Sequence, residues 1–274
     1  MKSFSRRRSF CLILLILATG AFVVAHQRWG ASVHRAVFLY GWALFAVMVL
    51  LTVFNARKKL PFLPLGTAEG WLQLHIYAGF FSVVLFLFHI RFRYPTGWFE
   101  LILAWLFALV TVSGIVGLLF SRVFPRRMAT RGGEVLFDRI PALRRALQEQ
   151  VEAVAVGAIA ETRSATITDF YARELKEFFD RPPSRWMHWM EVRRPLTTLL
   201  NKMDDLNRFL GDQERVTMAK VADLVRQKDC LDYQYSLQWM LRAWLFVHVP
   251  LTYSLMLFSL VHVVLVYAFA AGTP

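Results

Sequence analysis

Apolar positions along this chain are gathered in blocks. Phe10–Ala25, Ala36–Phe54, Trp71–Ile90, Leu101–Ser121 and Ala243–Pro274 contain no Asp, Glu, Lys or Arg. A helix needs about 20 apolar residues to cross the hydrocarbon layer of a bilayer. Four blocks reach that length, and Phe10–Ala25 is at the lower limit. In lipid every backbone N–H and C=O must be satisfied within the segment, so these blocks are predicted to be helices. The pattern changes between Ser121 and Arg242. There Pro141–Val151, Phe170–Phe179 and Leu196–Leu210 carry apolar residues at spacings of three and four, the mark of helices with one buried face. Arg181-Pro182-Pro183-Ser184 predicts a turn between two of them. The chain shows no strand-like alternation, no glycine-rich nucleotide loop and no internal repeat. The expected fold is therefore all-α: a polytopic membrane bundle of five transmembrane helices with a helical cytoplasmic insert. Residues 1–35 would form a signal anchor and outer loop, and 36–120 the second to fourth spans. Residues 121–242 would form the insert, and 243–274 the fifth span with a short outer tail.

Composition narrows the class. The 274 residues are 57% hydrophobic and 19% charged, with a mean hydropathy of +0.43. An ordinary soluble domain is about half apolar and a quarter charged, so a cytosolic fold and a disordered chain are both poor fits. The formal charge is +13, but 21 of the 32 basic and 17 of the 19 acidic residues lie in Ser121–Arg242. The insert's own net charge, 21 − 17, is +4. That is a balanced surface and no nucleic-acid footprint. Two distant cysteines, Cys11 and Cys230, form no CxxC or CxxCH. They exclude a cysteine-ligated iron–sulfur cluster, a cysteine-rich zinc site and covalent c-type haem attachment.

Charge also orients the chain. Lys2, Arg6, Arg7 and Arg8, then Arg57, Lys58 and Lys59, then Arg122, Arg126, Arg127 and Arg131, then Arg226, Lys228 and Arg242 flank one side. The other side carries Arg28, Arg35, Arg91 and Arg93. Cytoplasmic flanks are the richer in Lys and Arg, which predicts an inner-membrane protein with its N-terminus and insert inside and its C-terminus outside. Arg6-Arg7-Arg8 before Phe10–Ala25 suits either a signal peptide or an anchor, and Arg7-Arg8-Ser9-Phe10 loosely matches a twin-arginine signal. Val23-Val24-Ala25 is a poor cleavage site, which favours the anchor. Both alternatives bring residue 26 to the outer side.

Candidate chemistry lies with histidine. Of seven His, four fall in membrane blocks as two pairs, His75 with His89 and His248 with His262, each separated by 14. At 1.5 Å rise and 3.6 residues per turn, 14 residues span about 21 Å in just under four turns. Each pair thus puts one imidazole near each membrane surface on one helix face. The third and fifth spans run in the same direction, so His75 is level with His248 and His89 with His262. Two facing imidazoles can ligate one ion from both sides. Zinc wants four protein ligands, and no acid or cysteine lies near enough in the membrane. Copper and di-iron carboxylate sites lack ligands for the same reason. Haem iron brings four equatorial nitrogens and needs one axial ligand per side. Two haems fit these four His without remainder. Small residues that let a porphyrin approach include Gly79 between His75 and His89, Gly41 on the second span, and Gly114 and Gly117 on the fourth. A lone membrane His is as well read as a packing residue, a proton relay or a substrate contact, and small residues also serve helix packing. His26, His34 and His188 read as surface residues.

The repeated H-x13-H pairs resemble those of the di-haem b-type cytochromes, the four-helix core of respiratory cytochrome b and the membrane subunits of nitrate reductase. The likeness covers about residues 36–120 and 243–268. It implies a four-helix di-haem core with two haem b, and His75, His89, His248 and His262 as cofactor-binding and metal-ligating residues. Arg91 and Arg93 would meet the propionates of the outer haem, and Arg242, Lys58 or Lys59 those of the inner one. The same cations also read as interface anchors, and Trp71, Trp98, Trp239 and Trp244 as interface-belt residues. Six-coordinate iron leaves no open position, so the implied work is electron transfer. It would link the quinone pool to a redox partner: a multihaem c cytochrome, an iron–sulfur protein or a flavoprotein. Quinone itself is a candidate ligand without identifiable site residues. Glu69, Glu100, Tyr94 and Asp232 lie near membrane edges and read as surface or capping residues. The chain departs from cytochrome b in lacking the Pro-Glu-Trp-Tyr motif, in its long insert and in an inverted orientation. Ferric reductases and NADPH oxidases also pair His on the third and fifth helices, which leaves open a ferric-reductase-like module fed by a separate flavoprotein. A haem-free membrane scaffold or transporter is the third alternative.

Overall fold

A computed structural model describes residues 2–29, 33–56, 67–130, 135–162, 165–181 and 194–270. Nine α-helices appear among them: α1 (Lys2–Trp29), α2 (Val33–Ala56), α3 (Ala68–His89), α4 (Trp98–Ala129), α5 (Ile140–Thr162), α6 (Thr166–Phe170), α7 (Lys176–Asp180), α8 (Arg194–Asn207) and α9 (Asp212–Ala270). No strand occurs among the described residues. The chain forms two compact units, Met1–Leu118 with Trp244–Pro274, and Leu119–Ala243.

The first unit is a multi-pass membrane bundle by the character of its helices. Ser9–Arg28, Ala68–His89, Trp98–Ala129 and Asp212–Phe269 are each long and apolar enough to cross a bilayer, while the apolar part of α2, Val37–Val53, is shorter. Ile13, Leu17, Leu39, Trp105, Val112, Leu257 and Val264 are exposed. A water-soluble fold would hide such residues; lipid accepts them without cost. The buried positions are few: Leu44, Met48, Leu85, Phe107 and Leu255 form the apolar centre, and Phe86 stacks on Phe107 with ring centroids 4.2 Å apart. Helix α2 packs on α3, and α1 packs on α3 as well. Phe22 of α1 meets Tyr40, Phe81 and Phe88 edge-on, and His26 Nδ1 lies 2.7 Å from the Tyr40 hydroxyl. These contacts make α1 a packed member of the unit.

Both ends of α3 are specified locally. Thr67 caps its start, the hydroxyl accepting from the Gly70 N–H at 3.2 Å, which satisfies one of the orphan donors of the first turn. Its end is unusual. Arg91 and Phe92 take φ of 53° and 54°, the left-handed region. Phe92 N–H reaches back to the Leu87 carbonyl at 3.0 Å. Glycine ordinarily fills such a cap, and each non-glycine residue held there stores about 1–3 kcal/mol. The strained turn reverses the chain directly after His89.

The second unit is helical with an ordinary core. Ile140, Val151, Ala155, Leu175, Val221 and Val225 are almost wholly buried between α5, the α6–α7 segment, α8 and the first part of α9. The predicted helices at 141–151 and 170–179 lie here. The second contains a π turn, Tyr171–Leu175, between α6 and α7. The third stops at Asn207, three residues before the predicted end, because 208–210 turn toward Gly211. Gln234 and Gln238 grip one backbone position: Val135 N–H donates to Gln234 Oε1 at 3.1 Å, and Gln238 Nε2 donates to Val135 O at 2.8 Å. Asp232 is a correction to the sequence reading. It is no surface residue but 3% exposed, accepting from Lys228 Nζ at 2.6 Å and ion-paired with Arg144, whose Nε lies 2.8 Å away. Lys228 also stands 4.3 Å over the Phe178 ring. Burial pulls the Lys228 ammonium below its ordinary value, and the Asp232 carboxylate beside it pushes back up. The predicted turn at 182–184 lies outside the described residues.

Candidate functional site

The four membrane His all belong to the first unit and meet two by two. His89 of α3 faces His262 of α9, ring centroids 6.4 Å apart and planes at 87°. His75 of α3 lies close enough to His248 of α9 for charges on the two rings to interact. The two helices are therefore parallel, with the pairs at two levels. Helix α2 runs antiparallel beside α3. Its Val37 carbonyl meets His89 Nδ1 at 3.3 Å, and the Leu51 backbone meets His75. Val37 and Leu51 are themselves 14 apart, so one register serves both levels. Midway between the levels lie Leu44, Ser82 and Leu255, all buried. The Ser82 hydroxyl is spent on the Gly79 carbonyl at 2.7 Å.

Cavities flank the His89–His262 pair. One of about 310 Å³ lies between α2 and α9, walled by Gly41, Phe45 and Val263 among others. A second of about 720 Å³ reaches the turn after α3 and the start of α4, with Arg93, Tyr94, Thr96 and Glu100 around it and Phe86, Phe107 and Leu255 inside. Both volumes lie within the range of small-molecule and cofactor sites. His89, His262 and Ser259 line both.

At the other level, His248 Nδ1 lies 3.2 Å from Ser113 Oγ, and Trp244 stacks on the His248 ring at 5.1 Å and 23°. Trp244 Nε1 donates to the Ser113 carbonyl at 2.8 Å. Trp244, read from the sequence as an interface-belt residue, also packs on the candidate ligand His248. Neither Ser113 nor the Val37 carbonyl is legible as a site group in the sequence.

Glycines divide by what stands beside them. A Cβ at Gly41 would sit 2.9 Å from His89 Cε1, and one at Gly114 would sit 3.8 Å from His248 Cε1. At Gly117 a Cβ would collide with the Trp244 indole. A Cβ at Gly79 would meet no atom of the protein within 4 Å. Among the cations, Arg93 is on the larger cavity and Arg91 is exposed in the strained turn. Arg242 belongs to the second unit, where it pairs with Asp138 at 3.3 Å and covers the Phe137 ring at 4.0 Å. Lys58, Lys59 and His188 lie outside the described residues, as does the side chain of His34.

The donor set can be tested against a metal. Among the described residues no three of His, Cys, Asp and Glu come together, so a tetrahedral protein site is not formed there. Two imidazoles suit an ion that brings its remaining ligands. A metal–nitrogen bond of about 2 Å, plus a ring radius of about 1 Å, puts two axial rings about 6 Å apart, centroid to centroid, across one ion. The 6.4 Å between His89 and His262 matches that spacing. Metal-ligating His usually has its other ring nitrogen held by an acceptor; His89 Nδ1 meets a carbonyl and His248 Nδ1 a hydroxyl, which leaves Nε2 of each for an ion. The residues present fit haem iron. Compared with models of known families, with curated proteins and with solved structures, the chain matches none.

Proposed function

We propose that this chain carries electrons across a membrane through two bis-His haem b groups, as the cytochrome b subunit of an oxidoreductase complex. The observation that carries the reading is the facing pair His89 and His262, spaced for one ion, with two cavities beside it. Bound haem supplies a one-electron Fe(III)/Fe(II) couple. The chain's residues do the rest. His75 with His248, and His89 with His262, ligate at two levels about 21 Å apart along the helix rise. Gly41 gives the His89 ring its place, Arg93 offers a cation to an anionic group in the larger cavity, and Leu44, Leu85 and Leu255 keep water from the layer between. In this reading α2 is a fifth span, the N-terminus and the 121–242 insert are cytoplasmic, and the C-terminus is outside the inner membrane. Quinone and a multihaem, iron–sulfur or flavin protein are the proposed redox partners.

Gly41→Ala forces the His89 ring away from the Val37 carbonyl and lowers haem content at that level. Pyridine haemochrome assay of the variant checks this, and a wild-type haem content would contradict it.

Vesicles test the transport itself. With ferricyanide trapped inside and dithionite outside, proteoliposomes of the whole chain should reduce the trapped acceptor much faster than protein-free vesicles. A His89→Leu, His248→Leu double variant should fall to the protein-free rate. Equal rates for wild type and protein-free vesicles would sink the proposal.

A further inference from the structure

Hydroxyls on apolar helices usually turn back on their own backbone. Thr52 donates to the Met48 carbonyl at 2.8 Å, Ser82 to Gly79 at 2.7 Å and Thr252 to His248 at 2.9 Å. Ser113 differs, because its Oγ is aimed across to another helix, 3.2 Å from His248 Nδ1. Its carbonyl receives the Trp244 Nε1–H, and the Trp244 ring lies nearly parallel to the His248 ring. One turn of α4 thus holds two residues of α9, and Gly117 leaves that turn open for the indole. A Cβ at Gly117 would collide with the indole, while one at Gly114 would stand in ordinary contact with the imidazole, 3.8 Å from Cε1.

We infer that Ser113 is a positioning residue for His248, acting as the acceptor that fixes which ring nitrogen is offered to the ion and in what orientation. This rests on the di-haem reading above. The two levels differ in chemistry. The Val37 carbonyl can only accept, so His89 must carry its proton on Nδ1, leaving Nε2 bare. A serine hydroxyl can accept or donate, so His248 is held in either tautomer, and ion binding at Nε2 selects Nδ1–H donating to Ser113 Oγ. An acceptor on the distal nitrogen makes the ligating nitrogen more basic, and losing it typically weakens metal binding by about 10–100-fold.

Ser113→Thr keeps a hydroxyl, and Ser113→Val has nearly the same shape without one. Haem titration of apoprotein and a potentiometric titration followed at the b-haem absorbance are run on both, with wild type, in the full chain. The inference expects Ser113→Thr to keep two haems and two wild-type potentials. It expects Ser113→Val to weaken one haem about 10–100-fold, with any haem retained there shifted to higher potential and the other unchanged. If Thr and Val behave alike, whether both like wild type or both deficient, the hydroxyl has no such role and the inference is overturned while the haem reading stands. Wild type that takes up no haem overturns that reading, and the inference with it.

Discussion

His262→Leu should leave one haem per chain where the wild type holds two. His89→Leu should give the same deficit, and the two together should cost no more than either alone. His89→Leu with His248→Leu should remove both haems. Leucine fills much of the imidazole's volume and offers no lone pair, so the series reports ligation more than packing. The pattern follows from the pairing: residues that act as one unit are not additive, and residues of separate units are. His89 and His262 face each other at 6.4 Å, and His248 is held apart by Ser113 and Trp244. Loss of a ligand bound at 1,000 times its dissociation constant also withdraws about 4 kcal/mol of stabilisation, so each deficient variant should melt earlier in detergent. Haem counts of zero for every single variant, or of two for all, would break the pairing.

Asp232→Asn should strongly destabilise the second unit. It strips the charge from a group 3% exposed and leaves Lys228, also 3% exposed, without its ion-pair partner. Removing one member of a buried pair costs about 3–5 kcal/mol, a large part of the 5–15 kcal/mol typical of a folded domain. The main unfolding transition of that unit should fall by about 10 °C or more. Lys228→Met with Asp232→Leu should recover most of the loss, since a packed apolar pair replaces a buried ion pair at little cost. Arg144 keeps a partner in the double variant, because its Nη2 donates to the Arg181 carbonyl at 2.8 Å. Thermal melts and limited proteolysis of the full chain in detergent check both. A single variant as stable as wild type would show that the pair is dispensable.

Much of this was legible in the sequence, for reasons that differ by residue. The His spacing could be read because 14 residues return almost to one helix face. Helix direction then put His75 level with His248 and His89 level with His262, as the structure does. The composition change near Ser121 and Arg242 lies close to where the chain passes between its two units, at Leu118 and Trp244. What that change did not give is the ends of the helices. Helix α4 continues through Pro125 to Ala129, and α9 runs from Asp212 to Ala270 through Pro250. A helix closes its hydrogen bonds locally, so a fall in hydropathy need not end it.

The groups that hold the histidines were not legible, because they come from other helices. Val37 acts through a carbonyl that every residue has, and only the α2–α3 register selects it. Ser113 looked like one more small polar residue beside Gly114, and nothing local marks which way its hydroxyl points. Gly41 and Gly79 are alike in sequence, yet a Cβ at the first would abut His89 and one at the second would meet no atom of the protein. Asp232 did carry a signal that went unread. Lys228 lies four residues earlier on the same helix, the spacing at which opposite charges pair.

The central claim is that the paired histidines hold haem. A dithionite-reduced minus oxidised spectrum of the purified membrane protein, with a pyridine haemochrome count per chain, tests it most directly. The predicted result is a b-type difference spectrum and two haems per chain. A chain fully inserted in the membrane under haem-replete expression, with no Soret band, would contradict the account and return the four histidines to a scaffold or transporter reading.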